Sequence, residues 1–168
     1  MITADYVRLM ARYNRWQNES LYSAAAKLTD TQRREDRGAF FKSIHATLNH
    51  LVWADHMWMS RLAGKPKAKA GLLPSGLDAY PDFEELHAER VKTDQVIADW
   101  AGTLNAEDLQ GDLTWFSGAT GRELTKPRWI AITHMFNHQT HHRGQVHAML
   151  TGFGSKPDIT DLAFMPEA

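Results

Sequence analysis

Four of the nine histidines in this 168-residue chain, His134, His138, His141 and His142, fall within nine consecutive residues. Imidazole is the side chain best suited to two tasks near neutral pH, lending a lone pair to a metal ion and exchanging a proton. His138 and His142 are one helical turn apart, so on a helix their rings share a face and can chelate one ion. His134 and Gln145 project near the same face, whereas His141 points to the side. Spacing alone leaves three readings open: a metal site, core or surface histidines, and acid–base chemistry without an ion.

The surroundings favour the metal reading. Ile132 and Met135 precede His138, and Val146 and Met149 follow His142, so the pair sits close to an apolar seam where neutral imidazoles need partners. His50, beside Thr47, Ala54 and Met57 at the edge of another apolar stripe, is a candidate third ligand. Three histidines from two helices would leave an ion an open position. An all-nitrogen site suits zinc, nickel, cobalt or iron(II).

Other polar residues read mainly as structure. His45, His87 and His147 are expected to be structural or solvated. Asp55 lies on the line of Leu48, Leu51 and Trp58 and is read as orienting a ligand histidine, pairing with a cation or capping a polar network. Gly144, inside a helix, suggests close approach of another element. Arg143 is read as a packing residue, paired with Asp158 or Asp161 of the tail, with an anionic substrate as the other option.

Four amphipathic segments must position these residues. Apolar residues at helical spacing predict helices over Ala4–Lys27, Ala39–Leu62, Phe83–Leu104 and Pro127–Leu150. Thr3 is placed to cap the first, and Phe41 and Ile44 head the stripe of the second. Thr29 to Gln32 predicts a capped short turn, and Arg33 to Arg37 a wet surface. Lys65 to Pro81, with Gly71, Gly76 and three prolines, predicts a long crossover that rims a pocket. Asp112–Phe116 and Arg122–Thr125, separated by Ser117 to Gly121, predict a small hairpin. The tail from Gly154 to Ala168 is expected to dock on the bundle. The fold class is therefore all-α, a single four-helix-bundle domain over residues 1–168.

Composition closes several other routes. With 43% hydrophobic residues the chain can bury a full core, and with no cysteine it has no disulfide, thiolate ligand or cysteine nucleophile. A net charge of -1 gives no attraction for a phosphate backbone, so no nucleic-acid partner is expected. The six tryptophans are not interleaved with basic residues as on a single-strand platform. Phosphate-binding glycine loops, a serine nucleophile elbow and a histidine–glutamate zincin motif are missing. The first residues, Met1 to Tyr6, differ from a signal peptide, and no apolar run reaches the length of a membrane span. A cytoplasmic protein without a membrane partner is the expectation.

Ser43 to Leu51 (Ser-Ile-His-Ala-Thr-Leu-Asn-His-Leu) together with His134 to Gln145 (His-Met-Phe-Asn-His-Gln-Thr-His-His-Arg-Gly-Gln) resembles the DinB family, within the DinB/YfiT-like superfamily. Asp161-Leu162 is similar to that family's ending. The resemblance implies up-down-down-up topology, frequent assembly as a homodimer, and a divalent metal held by His50, His138 and His142. It also implies a link to thiol-dependent transferases and isomerases that use bacillithiol, mycothiol or glutathione. The leading expectation is thus a metal-dependent enzyme, such as a transferase joining a small-molecule electrophile to a low-molecular-weight thiol. A metal-dependent hydrolase and a non-catalytic metal-binding or stress-related protein are the alternatives. The family name reflects damage-inducible expression and carries no implication of DNA binding.

Overall fold

Local capping chemistry fixes where each helix begins. The computed structural model describes residues 2–69, 74–118 and 120–167. Gly71 of the expected crossover, Ala119 of the expected hairpin turn, and Met1 and Ala168 at the ends of the expected domain lie outside them. Helix α1 (Ala4–Ala26) starts at Thr3, whose hydroxyl accepts the Tyr6 N–H at 3.1 Å. A capping box between Thr29 and Gln32 opens the short α2 (Asp30–Arg34), the capped turn expected there. Asp82 caps α4 (Phe83–Thr103), and Pro127 directly precedes α5 (Arg128–Gly152).

The second long helix differs from expectation at its start. Helix α3 runs Ile44–Ala63, because the Ser43 hydroxyl accepts the Ala46 N–H and Lys42 has a left-handed φ of 69°. Residues 39–42 form a tight turn instead of a helical one. Phe41 therefore leaves the helical stripe. Gly64, with φ 61°, ends α3.

Strands β1 (Asp112–Ser117) and β2 (Arg122–Pro127) pair antiparallel, with Trp115 opposite Leu124, as the hairpin that the turn residues predict. The rest of the regular structure is mainly helical. Among the described residues, no helix is long and apolar enough to cross a membrane.

Side-chain bonds give the order of packing. From α1 to α4, Asn18 meets Asp94, Arg15 meets Gln95 and Arg8 meets the Leu104 carbonyl, with numbers rising on one helix as they fall on the other. From α3 to α5, His50 meets His138 and Trp58 meets His134 in the same opposed sense. From α3 to α4, Asp55 meets Arg90 and His56 meets Thr93, with numbers rising together.

The buried interior has three zones. One apolar cluster gathers Val7, Met59, Ile97, Trp100, Ile132 and Phe136; another gathers Leu21, Ile44, Leu48, Leu86, Val146 and Leu150. A further set of buried residues is polar: Asn14 and Asn18 on α1, Asp55 on α3, Arg90 and Asp94 on α4, Gln139 and Arg143 on α5. Their bonds span all four long helices. Arg90 lies 2.7 Å from Asp55 and 2.9 Å from Asp94, and Asn18 donates to Asp94 at 2.9 Å. Gln139 donates to Asp55, and Arg143 donates to Asn14. Burial pushes the Asp55 carboxyl up, against ionisation, while the neighbouring guanidinium pulls it back. Burial likewise works against the Arg90 charge, but Asp94 and Asp55 outweigh it, so we read the contact as ionic.

Two expectations for α5 are corrected here. Arg143 bonds to Asn14 and Thr140 and lies over the Tyr13 ring, so its role is packing, but its bonds go to α1 and α5 and not to Asp158 or Asp161. Gly144 serves no close approach, since a Cβ there would meet nothing within 4 Å. Gly144→Ala should accordingly raise stability by about 1 kcal/mol in urea denaturation, the ordinary gain for alanine inside a helix. The tail does dock. Tyr13 donates to the Thr160 carbonyl at 2.6 Å, Gln17 to the Ile159 carbonyl at 3.0 Å, and Ser20 accepts the Asp158 N–H at 2.8 Å.

Candidate metal centre

Helices α3 and α5 bring His50, His138 and His142 together. One ring nitrogen from each lies within 4.8 Å of the others, and His50 Nε2 is 3.0 Å from His138 Nε2. A tetrahedral ion with metal–nitrogen bonds of about 2.0–2.1 Å holds its nitrogens about 3.3 Å apart, close to that pair. Two imidazole lone pairs facing each other repel unless a proton or a cation lies between them. The donor set therefore fits a nitrogen-preferring divalent ion.

Protonation is suited to the same task. Burial, reinforced by the nearby imidazoles, holds His50 and His138 down to about 3. Burial also lowers His142, against the opposing pull of Gln145. The Gln145 Oε1 atom accepts from His142 Nδ1 at 2.9 Å, which leaves Nε2 with its lone pair. Gln145, expected only near the site, is thus the residue that fixes the tautomer of one histidine of the trio.

Of the remaining histidines, His141 stays beside the trio, its ring 4.9 Å from that of His142, centroid to centroid, and its Nε2 3.3 Å from Gln145 Nε2. His45 is buried against Asp78 and Asn49, and His87 stacks on Tyr22. His56 contacts Thr93 and Glu89. His134 meets the Trp58 ring edge-on and lies 5.8 Å from His138, centroid to centroid. Asp55 has taken the cation-pairing role, with Arg90, and reaches the histidine helix through Gln139, the neighbour of His138.

Two features escape sequence reasoning. Phe41, displaced from the helix, lays its ring 4.0 Å from His50 and 5.1 Å from His142, centroid to centroid. The signal for it was the Gly38 and Ser43 bracket, which marks a turn followed by a helix cap. The second is a cavity of about 640 Å³ that opens beside His50 and His138, walled by α3, α5 and the hairpin. A smaller cavity of about 280 Å³ is rimmed by Lys65, Pro66, Lys67, Lys69 and Tyr80 of the crossover.

The described residues of the crossover meet the larger cavity from behind. Trp53, which lines it and lies 5.7 Å from the His50 ring, rests against Gly76. A Cβ on Gly76 would come 2.7 Å from Trp53 Cγ. Gly76→Ala should therefore destabilise the protein by about 1–3 kcal/mol, the ordinary result of overpacking, and change the tryptophan fluorescence.

Fold and site together define a mainly helical protein with a histidine trio shared between two long helices at the edge of a cavity. A sequence model of the DinB family matches residues 1–168, and the chain belongs to that family. It is similar to Protein DinB of Bacillus subtilis (strain 168), with 24% identity over 157 residues, covering 92% of this chain and 91% of that protein.

Proposed function

We propose that residues 1–168 form one domain of up-down-down-up topology that holds a divalent ion through His50, His138 and His142 and acts as a metal-dependent enzyme on small molecules. The reaction we favour is transfer involving a low-molecular-weight thiol and an electrophilic partner. The observation that carries the enzymatic reading is the 640 Å³ cavity beside His50 and His138, which gives a substrate access to the trio. An ion bound by three neutral imidazoles keeps its full positive charge and favours the anionic form of a thiol or of water. Because the chain has no cysteine, a thiolate must come from a cosubstrate. Phe41 packs, tilted, against the rings of His50 and His142, and Gln145 holds His142 in a single tautomer.

Metal analysis of the protein as purified, followed by a screen of glutathione-type thiols against small electrophiles, tests this reading. One equivalent of metal and thiol consumption that stops on chelation are expected. A protein that binds no divalent ion when reconstituted would overturn it. Metal binding without thiol consumption would favour hydrolysis or a non-catalytic role.

We also propose a homodimer, supported by large apolar side chains left exposed, Phe40, Phe116, Ile159 and Phe164 among them. A monomeric mass by light scattering at micromolar concentration would rule it out.

A further inference from the structure

We infer that the cavity beside the histidines binds an organic anion with an apolar body, and that Arg61 receives the anionic group. This rests on the cavity being the substrate site, but not on the ion being present. Trp53, Met57, Trp58, Trp115, Leu124 and Ile130 supply an apolar wall. Against it stand two cations, Arg61 and Lys126, and no aspartate or glutamate among the described lining residues.

Arg61 is built into this wall. Its guanidinium lies 4.9 Å from the Trp58 ring centre and 5.8 Å from that of Trp115. One N–H reaches the Phe116 carbonyl at 3.4 Å, and no carboxylate of the described residues pairs with it. Arg8, Arg33, Arg34, Arg37 and Arg90 have carboxylate partners; of the arginines without one among the described residues, Arg61 is the one that lines this cavity. A planar guanidinium backed by aromatic rings presents a fork that matches a carboxylate or sulfonate. The low-dielectric wall strengthens such a contact relative to water.

The position also has a direction. Ala54, Met57 and Arg61 continue the face of α3 that carries His50, at steps of three and four residues. His50 and Arg61 are about 16 Å apart along the axis at 1.5 Å per residue, and helical side chains lean toward the N-terminus. Arg61 therefore leans back toward the histidines. A ligand with an anionic head at Arg61 would lay its apolar body along the tryptophans and its far end beside His50 and His138.

The test compares two fluorescent probes that share an aryl-naphthylamine frame, 8-anilinonaphthalene-1-sulfonate and the uncharged N-phenyl-1-naphthylamine. Each is titrated into the full chain, both after metal removal with EDTA and after zinc reconstitution. Arg61→Gln should weaken sulfonate binding about tenfold or more, the loss of one charge-assisted contact, and leave the neutral probe nearly unchanged. Lys126→Gln, at an exposed position, should matter much less. Ile130→Trp, which fills the cavity from a partly exposed site, should weaken both probes. Circular dichroism checks that each variant is folded, and Arg61→Met provides a second variant that keeps the packing stem. Equal loss of both probes in the folded Arg61 variants would assign the arginine to packing, and no loss of either would place the anion elsewhere; each overturns the inference. Insensitivity to Ile130→Trp overturns it as well. Failure of zinc to bind would leave the EDTA titrations intact, so the two readings fail separately.

Discussion

Alanine at His50, His138 or His142 is expected to lower affinity for a divalent ion by more than about a hundredfold, beyond the ten- to hundredfold typical of losing an outer partner. Each residue supplies one of three convergent nitrogens, and the remaining two cannot recreate the set. Gln145→Ala should fall in that milder range, because it removes the acceptor that orders His142. His147→Ala should leave affinity nearly unchanged, and so should His45→Ala if folded. Calorimetric titration with zinc of apo variants checked by circular dichroism measures all of these. A folded His50→Ala variant with native affinity would exclude the three-histidine site.

The same histidines set a pH dependence for the metal-free protein. Burial holds His50 and His138 at about 3, below the ordinary histidine value of 6.5. The unfolded chain therefore takes up protons first on acidification. Their neutral form favours the fold fully above about pH 6.5, and that stability is lost as pH falls toward 3. Urea denaturation of apo protein at pH 7 and pH 5 should show lower stability at pH 5, with a flatter profile for His50→Ala.

Arg90→Met is expected to cost about 3–5 kcal/mol, a large share of the 5–15 kcal/mol that holds a typical domain together. The guanidinium is 2% exposed and lies between Asp55 and Asp94, which are themselves 1% and 5% exposed. Methionine would leave both carboxylates buried without their cation. Asn18 still donates to Asp94 and Gln139 to Asp55, so the damage is partial at each. Adding Asp55→Leu should recover part of the loss, because an apolar pair replaces an unpaired charge. Urea midpoints for the single and double variants measure both steps, and a near-neutral Arg90→Met would mean that the buried pair contributes little.

Local chemistry explains which parts could be read in advance. The His138–His142 step and the caps at Thr3 and Thr29 are signals carried by neighbouring residues. The start of α3 was misplaced because Phe41 continues the helical apolar pattern, whereas the Ser43 cap depends on a left-handed Lys42 that the pattern does not reveal. Arg90 and Asp94 sit in the charged stretch Glu84 to Asp94, which reads like any solvated helix face until another helix covers it. Arg61 looked equally ordinary, since its significance depends on a hairpin more than fifty positions downstream. The turn residues Ser117 to Gly121 announce that hairpin, but not the cavity behind it.

The polar set shared by the long helices has a mechanical consequence. A seam of leucine, isoleucine and valine tolerates sliding, because one apolar side chain replaces another when a helix advances by a turn of about 5.4 Å. Here such a slip would carry Asp55 past Arg90 and set the carboxylates against the hydrocarbon of one cluster or the other. The network thus works as a detent: it holds α3 at one longitudinal setting against α4 through Asp55–Arg90, and against α5 through Asp55–Gln139. Because Gln139 adjoins His138, and Asp55 lies little more than a turn beyond His50, that setting is also the one that keeps the Nε2 atoms of the two imidazoles 3.0 Å apart.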